Sequence, residues 1–532
     1  MNASARSFPV LLAAALISCA ANPGPPPVVE PEEPAASTAA STSETPEPEP
    51  SSRADVEINV GIGPQRGGLN PHLIADDSSF VRSLASLVLP SAFRDGAMDA
   101  DVLDSAEVIE PAEGMAQTVR YVISPAAQWS DGTPITGADF RYLWRGMTRT
   151  PGVVEPAGYL AIDDVRVSGD GRTVTVDFAD QVADWPSLFT HLLPSHHLQS
   201  DASDFTAALV DDIPASAGRY MIRSVDPARG VISVNRNDRF WGANPAETDL
   251  VTFREIRTVT QGVDQLRSGQ ISFLDIVPSE TSVDAYSLMQ DTQVRTLDLP
   301  RELRLTLSTA SPTLSEHSLR AELHSLIDVP LIARLAAGRS ADLNVPEHTP
   351  PRDPAGPLPA ALQAATAERP LRLGVDPADA TAIAAGRTII DVLARYDVEA
   401  EVVSSDLDEI TGQLLPEGEV DAVITWEHVE GDSADLASDW LCPDPAAELS
   451  SGNLSGYCTP ESDALARQIL AGEVDTTSGA QRLRATNERE HLSIPLLGER
   501  RVLVLGEGIV GPDPDLDNWT AGISTVPSWR KL

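Results

Sequence analysis

The chain has 532 residues, with 79 Asp or Glu against 38 Lys or Arg and a formal net charge of −41. So acidic a surface argues against nucleic acid as a partner and against docking of the folded surface onto anionic lipid head groups, because both are bound by positive charge. The length exceeds one simple hydrophobic core and implies two or three subdomains.

The N-terminal residues 1–6 carry one basic side chain, Arg6, and residues 8–17 are almost wholly apolar. That run suits a signal-peptide core and is too short to span a bilayer permanently. Leu16-Ile17-Ser18-Cys19 then reads as a bacterial lipobox. Ser18 is small enough for the cleaving peptidase, and the Cys19 thiol is the group that takes the diacylglycerol. Residues 23–53 are rich in Pro, Glu, Ser, Thr and Ala, with too few large apolar side chains to offset the entropy of folding. The expected order is a signal peptide over 1–18, a lipidated disordered stalk over 19–54, and a folded body beyond. The body would be held to the outer face of the cell membrane through the lipid alone, since no later segment approaches 18 consecutive apolar residues.

In the body, Val56, Ile58, Val60 and Ile62 alternate with polar or small residues, and so do Val119, Tyr121 and Ile123. Both read as half-buried strands. A hairpin is expected over 165–178, turning at Gly169-Asp170-Gly171, and a strand pair should bracket residues 226–230. Ser315 is expected to cap a helix carrying Leu319, Leu323, Leu326 and Ile327, and Asp328-Val329-Pro330 restarts a helix. Residues 339–370 read as a Pro-rich loop. Strands at 371–375, 398–403 and 420–426 with a helix at 379–396 imply a parallel sheet with crossover helices. A last strand falls at 501–505. An antiparallel-rich first half is thus followed by an α/β second half.

Catalytic motifs are weak. Gly506-Glu507-Gly508-Ile509-Val510-Gly511 has dinucleotide-loop spacing, but Pro512 and Pro514 follow where the phosphate-binding helix should run. His196-His197 lacks the i, i+4 spacing of a helical zinc protease, so no metal site is assigned, and no nucleophile elbow or Walker loop is found. The reading is a non-enzyme without cofactor. With Cys19 lipidated, Cys442 and Cys458 remain as an even pair that commonly forms a disulfide outside the cytoplasm, two buried free thiols being the alternative.

Several segments resemble the extracytoplasmic solute-binding proteins of family 5, the peptide-binding class of ABC transporters. They are Gly68-Leu69-Asn70-Pro71-His72, the segment 129–140 (WSDGTPITGADF), Ser216-Ala217-Gly218-Arg219-Tyr220, the segment 235–242 (NRNDRFWG), Arg267-Ser268-Gly269-Gln270-Ile271 and the segment 455–463. The resemblance implies an α/β, two-lobed periplasmic-binding-protein-like fold of type II with an extra subdomain in the first lobe. It places the first lobe at 55–261, the second at 262–497 and a C-terminal return to the first lobe at 498–532. Segments 87–94 and 142–159 are further similar to the LpqW group of actinobacterial lipoproteins, associated with phosphatidylinositol mannoside, lipomannan and lipoarabinomannan synthesis. That implies a regulator whose partner is a mannosylated lipid or a membrane mannosyltransferase. The alternative is delivery of a peptide-like solute to an ABC permease. Candidate ligand-binding residues are Trp426, Glu427 and Asp432 at the end of a second-lobe strand, with Asn70 and His72 at the exit of the first. The Asp-Tyr-x-Asp-Pro pattern that follows the tryptophan in peptide importers is missing after Trp426.

Overall fold

The computed structural model describes residues 56–353, 356–429, 431–443 and 452–532. The expected signal peptide, the lipobox with Cys19 and the stalk lie outside them.

Strand β1 (Glu57–Ile62) buries Ile58, Val60 and Ile62, the alternation seen in the sequence. Helix α1 (Ser79–Val88) starts where the Ser78 hydroxyl accepts from the Val81 N–H at 3.1 Å, and it buries Phe80, Val81, Leu84 and Leu87. Strands β2 (Leu103–Ile109) and β3 (Gln117–Ile123) come next. Helix α2 (Gly137–Arg149) opens with a capping box: Thr136 takes the N-cap and Asp139 reaches back to its N–H. Strands β4 (Ile162–Ser168) and β5 (Thr173–Phe178) form the expected hairpin, and Gly169, Asp170 and Gly171 all have positive φ. The antiparallel order β2-β3-β5-β4 makes a separate four-stranded sheet.

Strands β6 (Tyr220–Asp226), β7 (Val231–Arg236) and β8 (Leu250–Glu255), helix α3 (Val259–Arg267) and strand β9 (Phe273–Ile276) return the chain to β1, which pairs in parallel with both β8 and β9. Strand β10 (Gln293–Leu307) leads away to helices α4 (His317–Leu326), α5 (Val329–Ala337) and α6 (Ala360–Thr366). Strand β11 (Leu371–Val375), helix α7 (Ala380–Ala394) and strands β12 (Ala400–Ser404) and β13 (Ala422–His428) make the parallel unit, β11 pairing in parallel with β12 and β13. Helices α8 (Ser433–Ser438), α9 (Pro460–Leu470) and α10 (Thr476–Glu490) precede strand β14 (Ser493–Leu505).

One ten-stranded sheet, β12-β11-β13-β10-β14-β9-β1-β8-β7-β6, passes through two hydrophobic cores. This is the two-lobed α/β fold. The long strands β10 and β14 belong to both lobes. Their pairing slips between Asp298 and Glu302, where Leu299, Pro300 and Arg301 face only Glu499. Pro300 has no N–H to donate, and such a bulge tolerates it. Ala434, Ala437, Leu441, Ala466 and Leu470, from α8, α9 and the segment between them, join the first core.

Three details depart from the sequence reading. Helix α4 begins at His317, and Ser315 is not its cap. The Ser315 and Leu314 carbonyls instead accept from the buried Arg320. The supposed loop 339–370 contains α6, a seven-residue, Ala-rich helix that buries only Leu362 and Thr366 and so shows little apolar periodicity. Strand β14 starts eight residues before its expected beginning, carrying Pro495 and Gly498 within it.

Candidate interlobe site

The seam between the lobes is assembled from three places. The loop between β1 and α1 supplies Arg66, Ile74, Ala75 and Asp77. Strand β13 supplies Ile424, Thr425 and Trp426. The bulge of β10 supplies Arg301. Asp376, Asp379 and Leu407 close the second-lobe side. The enclosed space is about 10 Å³, the scale of one water, whereas sites for small molecules run to about 300–1,000 Å³. Ion pairs cross the seam, Arg66 to Asp379 and His428 to Asp77, so the lobes touch here and a sizeable ligand needs them to part.

Asp77 is the centre of the seam. Its Oδ1 accepts from Arg82 Nε at 2.5 Å, and its Oδ2 accepts from His428 Nε2 at 2.9 Å and pairs with Arg301 Nη2 at 3.1 Å. Burial alone would raise this carboxyl, but Arg82, Arg301 and His428 outweigh it and hold the group well below the usual carboxylate range. Arg301 also donates to Glu499 at 2.9 Å, and its guanidinium lies 5.7 Å from the centre of the Trp426 ring. Only 5% of the Arg301 side chain and 3% of the Asp77 side chain meet solvent. At the rim Arg66 pairs with Asp379, the N-cap of α7.

Carboxylates outnumber their partners beside this centre. Glu155 still shows a third of its side chain to solvent. It is crowded all the same, and desolvation and the nearby Asp435 push it up to about 7 against the pull of Arg82. Desolvation likewise raises Asp435 and Asp439, helped by the charges of Asp439 and Asp432 at Asp435 and of Glu427 and Glu155 at Asp439. Asp77, Asp376 and Asp379 line the space together with Trp426 and put carboxylate acceptors, for hydroxyl or ammonium donors, beside the indole.

The five candidate ligand residues fare differently. Trp426 is half-buried and lines the seam. Glu427 accepts from Thr306 Oγ1 at 2.7 Å and Arg304 Nη1 at 3.3 Å, both on β10. Asp432 caps α8, accepting from the Ala434 and Asp435 N–H groups at 2.8 and 3.1 Å. Asn70 is fully buried and ties its loop together, donating to the Phe205 carbonyl and accepting from the His72 N–H. His72 bonds the His191 carbonyl at 3.0 Å, and burial lowers its pKa to about 4 despite that bond. Asn70 and His72 are thus internal braces of the loop that presents Asp77. Asp77, Arg82, Glu155, Arg301 and Asp435 escaped the sequence reading. Nothing in the sequence set Arg301 apart, because β10 also carries Arg295, Asp298, Glu302 and Arg304.

Cys442 and Cys458 are joined by a disulfide, with Cα atoms 5.0 Å apart. Among the described residues no helix is long and apolar enough to cross a membrane.

Known proteins resemble the chain at three levels. It is 29% identical over 455 residues to the probable monoacyl phosphatidylinositol tetramannoside-binding protein LpqW of Mycobacterium tuberculosis (strain ATCC 25618 / H37Rv), covering 74% of this chain and 71% of the relative. It is 28% identical over 275 residues to the oligopeptide-binding protein OppA of Mycobacterium bovis, covering 49% and 45%. Among solved structures, the periplasmic EDTA-binding protein EppA superposes with a TM-score of 0.64 at 19% identity over 91% of this chain and 99% of that one, a likeness of fold. The model of the bacterial extracellular solute-binding proteins, family 5 Middle, matches residues 113–385, just over half of the chain. With the two-lobed fold and its LpqW-type relatives, that match establishes the family: the chain belongs to the bacterial extracellular solute-binding proteins of family 5.

Proposed function

We propose that the protein is a non-catalytic, lipid-anchored binder of mannosylated phosphatidylinositol that regulates lipoglycan synthesis in the cell envelope. The observation that carries the reading is the seam itself. It sets the Trp426 ring beside buried carboxylates, a combination suited to stacking on a sugar ring and accepting from its hydroxyls. The name of the LpqW relative, a tetramannoside-binding protein, supports the same chemistry. A membrane mannosyltransferase is then the natural protein partner, and Cys19 the point of attachment. Native mass spectrometry of the full chain, with purified mannosylated phosphatidylinositols and with a mixed peptide library, tests the reading. Retention of the glycolipid is expected; retention of peptides alone sinks it. Loss of labelled fatty acid in Cys19→Ala tests the anchor.

Delivery of a peptide to an ABC permease is the second reading, and the OppA relative favours it. Two features weigh against it. After Trp426, Glu427 is engaged by Arg304 and Thr306, and Asp432 by the N-terminus of α8. Neither is left to meet a peptide amine.

A further inference from the structure

Outside the seam, the fold brings an adjacent histidine pair together with an aspartate 65 residues before it. Asp131 Oδ2 lies 2.7 Å from His196 Nε2 and 3.1 Å from His197 Nε2. Among the described residues this is the one group of three or more His, Cys, Asp or Glu side chains whose ligand atoms all lie within 4.8 Å of one another. In the sequence the histidine pair lacks the i, i+4 spacing of a helical zinc protease, and a third ligand has to come from elsewhere in the fold. The turn of the WSDG segment supplies it.

We propose that Asp131, His196 and His197 bind a divalent first-row transition ion, with zinc the ion the donor set suits best. Two imidazole nitrogens and one carboxylate oxygen are the ligands of open zinc sites, the fourth position being left to water or to an outside donor. Tetrahedral bonds of about 2.0–2.1 Å place ligand atoms about 3.3 Å apart. Admitting the ion takes Asp131 Oδ2 about 0.6 Å further from His196 Nε2 and about 0.2 Å further from His197 Nε2.

Both halves of the site are held from behind. Asp131 Oδ1 accepts from the Thr133 N–H at 2.8 Å, which aims Oδ2 at the histidines. The Trp129 N–H donates to the Thr133 carbonyl at 2.7 Å and closes that turn. On the other side, Ser195 is fixed through its N–H and hydroxyl to Asp139 Oδ1, at 3.1 and 2.7 Å, so the capping box of α2 also anchors the histidine turn. The Trp129 ring packs 5.9 Å from the His196 ring. Supports of this kind orient ligands in metal sites. Side-chain exposures of 35%, 24% and 41% for Asp131, His196 and His197 leave the remaining coordination positions open to solvent. None of the three lines the seam cavity, so the site is independent of the ligand-binding reading above.

The test uses the full chain without a histidine tag, titrated with zinc sulfate by calorimetry in a non-coordinating buffer. One stoichiometric equivalent is expected, weakening on acidification because imidazole ligates only when deprotonated. Cobalt(II) should give intense visible bands of four-coordinate geometry. Asp131→Asn and His196→Ala should each weaken binding by at least about ten-fold, and His196→Ala/His197→Ala should abolish the stoichiometric site with unchanged circular dichroism. The acidic surface will collect zinc weakly elsewhere, and that background should survive the double variant. No stoichiometric equivalent in the parent chain, or one unchanged in the double variant, overturns the proposal.

Discussion

Arg301 reaches from the bulge of β10 to Asp77 twice, donating to its backbone carbonyl at 3.0 Å and pairing with its Oδ2 at 3.1 Å. The contact joins the strand shared by both lobes to the loop that precedes α1. Asp77→Ala leaves Arg301 and Arg82 without their common carboxylate. Removing one partner of a buried pair costs about 3–5 kcal/mol. The expected outcome is a lower melting temperature and a larger radius of gyration by X-ray scattering, as the lobes part. Unchanged scattering and melting would show that the pair does not hold the seam.

A steric route to the same opening leaves the charges alone. A Cβ built on Gly412 would lie 2.7 Å from Pro151 Cβ and 2.8 Å from Pro151 Cγ, across the seam. The neighbouring Gly152 has φ +70 and packs against Thr411 and Asp408, so that loop has little room to retreat. Gly412→Val should wedge the lobes apart and make Trp426 more accessible to acrylamide quenching. Equal quenching in parent and variant would mean that the seam accommodates the side chain.

The pH dependence has two opposed parts. Glu155 is raised to about 7, and Asp435 and Asp439 are raised with it. Between the unfolded carboxylate range near about pH 4 and pH 7, the folded state holds more protons than the unfolded chain. Stability from these groups is full below that window and is lost as pH rises through it. The depressed carboxyl of Asp77 has the reverse sign: its contribution is lost only on acidification below the usual range. Arg82, Arg304, His428, Asp432 and Glu427 face the same cluster. Melting temperature should therefore fall from about pH 5 to pH 8, and Glu155→Gln/Asp435→Asn/Asp439→Asn should flatten that fall. An equally steep fall in the triple variant would assign the dependence to other groups.

The fold was legible where local pattern and burial agree. The alternation of β1, the turn of the 165–178 hairpin and the parallel unit of β11 to β13 all follow from period-2 apolar runs and punctuating glycines. The seam was not legible, because its chemistry is long-range. Asp77 and His428 are 351 residues apart, as are no two residues of any motif. Asn70 and His72 sit in a recognisable segment, yet their polar atoms are spent on the Phe205 and His191 carbonyls. Asp432 reads as a free acid until α8 is seen to start at it. Trp426 follows the apolar run of β13, which made it a candidate, and it lines the seam, although the strand itself runs on to His428.

The disulfide between Cys442 and Cys458 closes a short loop next to α9, and the Cys442 N–H donates to Asp463 at 3.0 Å. A loop of this length is worth about 3 kcal/mol. Replacing both cysteines by serine should lower the melting temperature and leave the chain folded, because neither cysteine belongs to either core. Thiols titrating in the unfolded, unreduced chain would contradict the pairing.

Trp426 tests the cleft most directly. Its ring is faced on one side by Arg301, and the cavity leaves no room for a ligand while that contact stands. Opening frees the indole and the carboxylates around it together. A sugar ring stacked on the indole would then stand in for the guanidinium, and its hydroxyls would donate to the acidic side chains. Trp426→Ala removes the platform and leaves the charge network of Asp77, Arg82, His428 and Glu499 in place. The variant should melt within a few degrees of the parent and bind mannosylated phosphatidylinositol at least about ten-fold more weakly, a loss of about 1.4 kcal/mol. Calorimetry on both proteins measures the difference. Equal affinity would move the ligand off this strand end and onto another face of the protein.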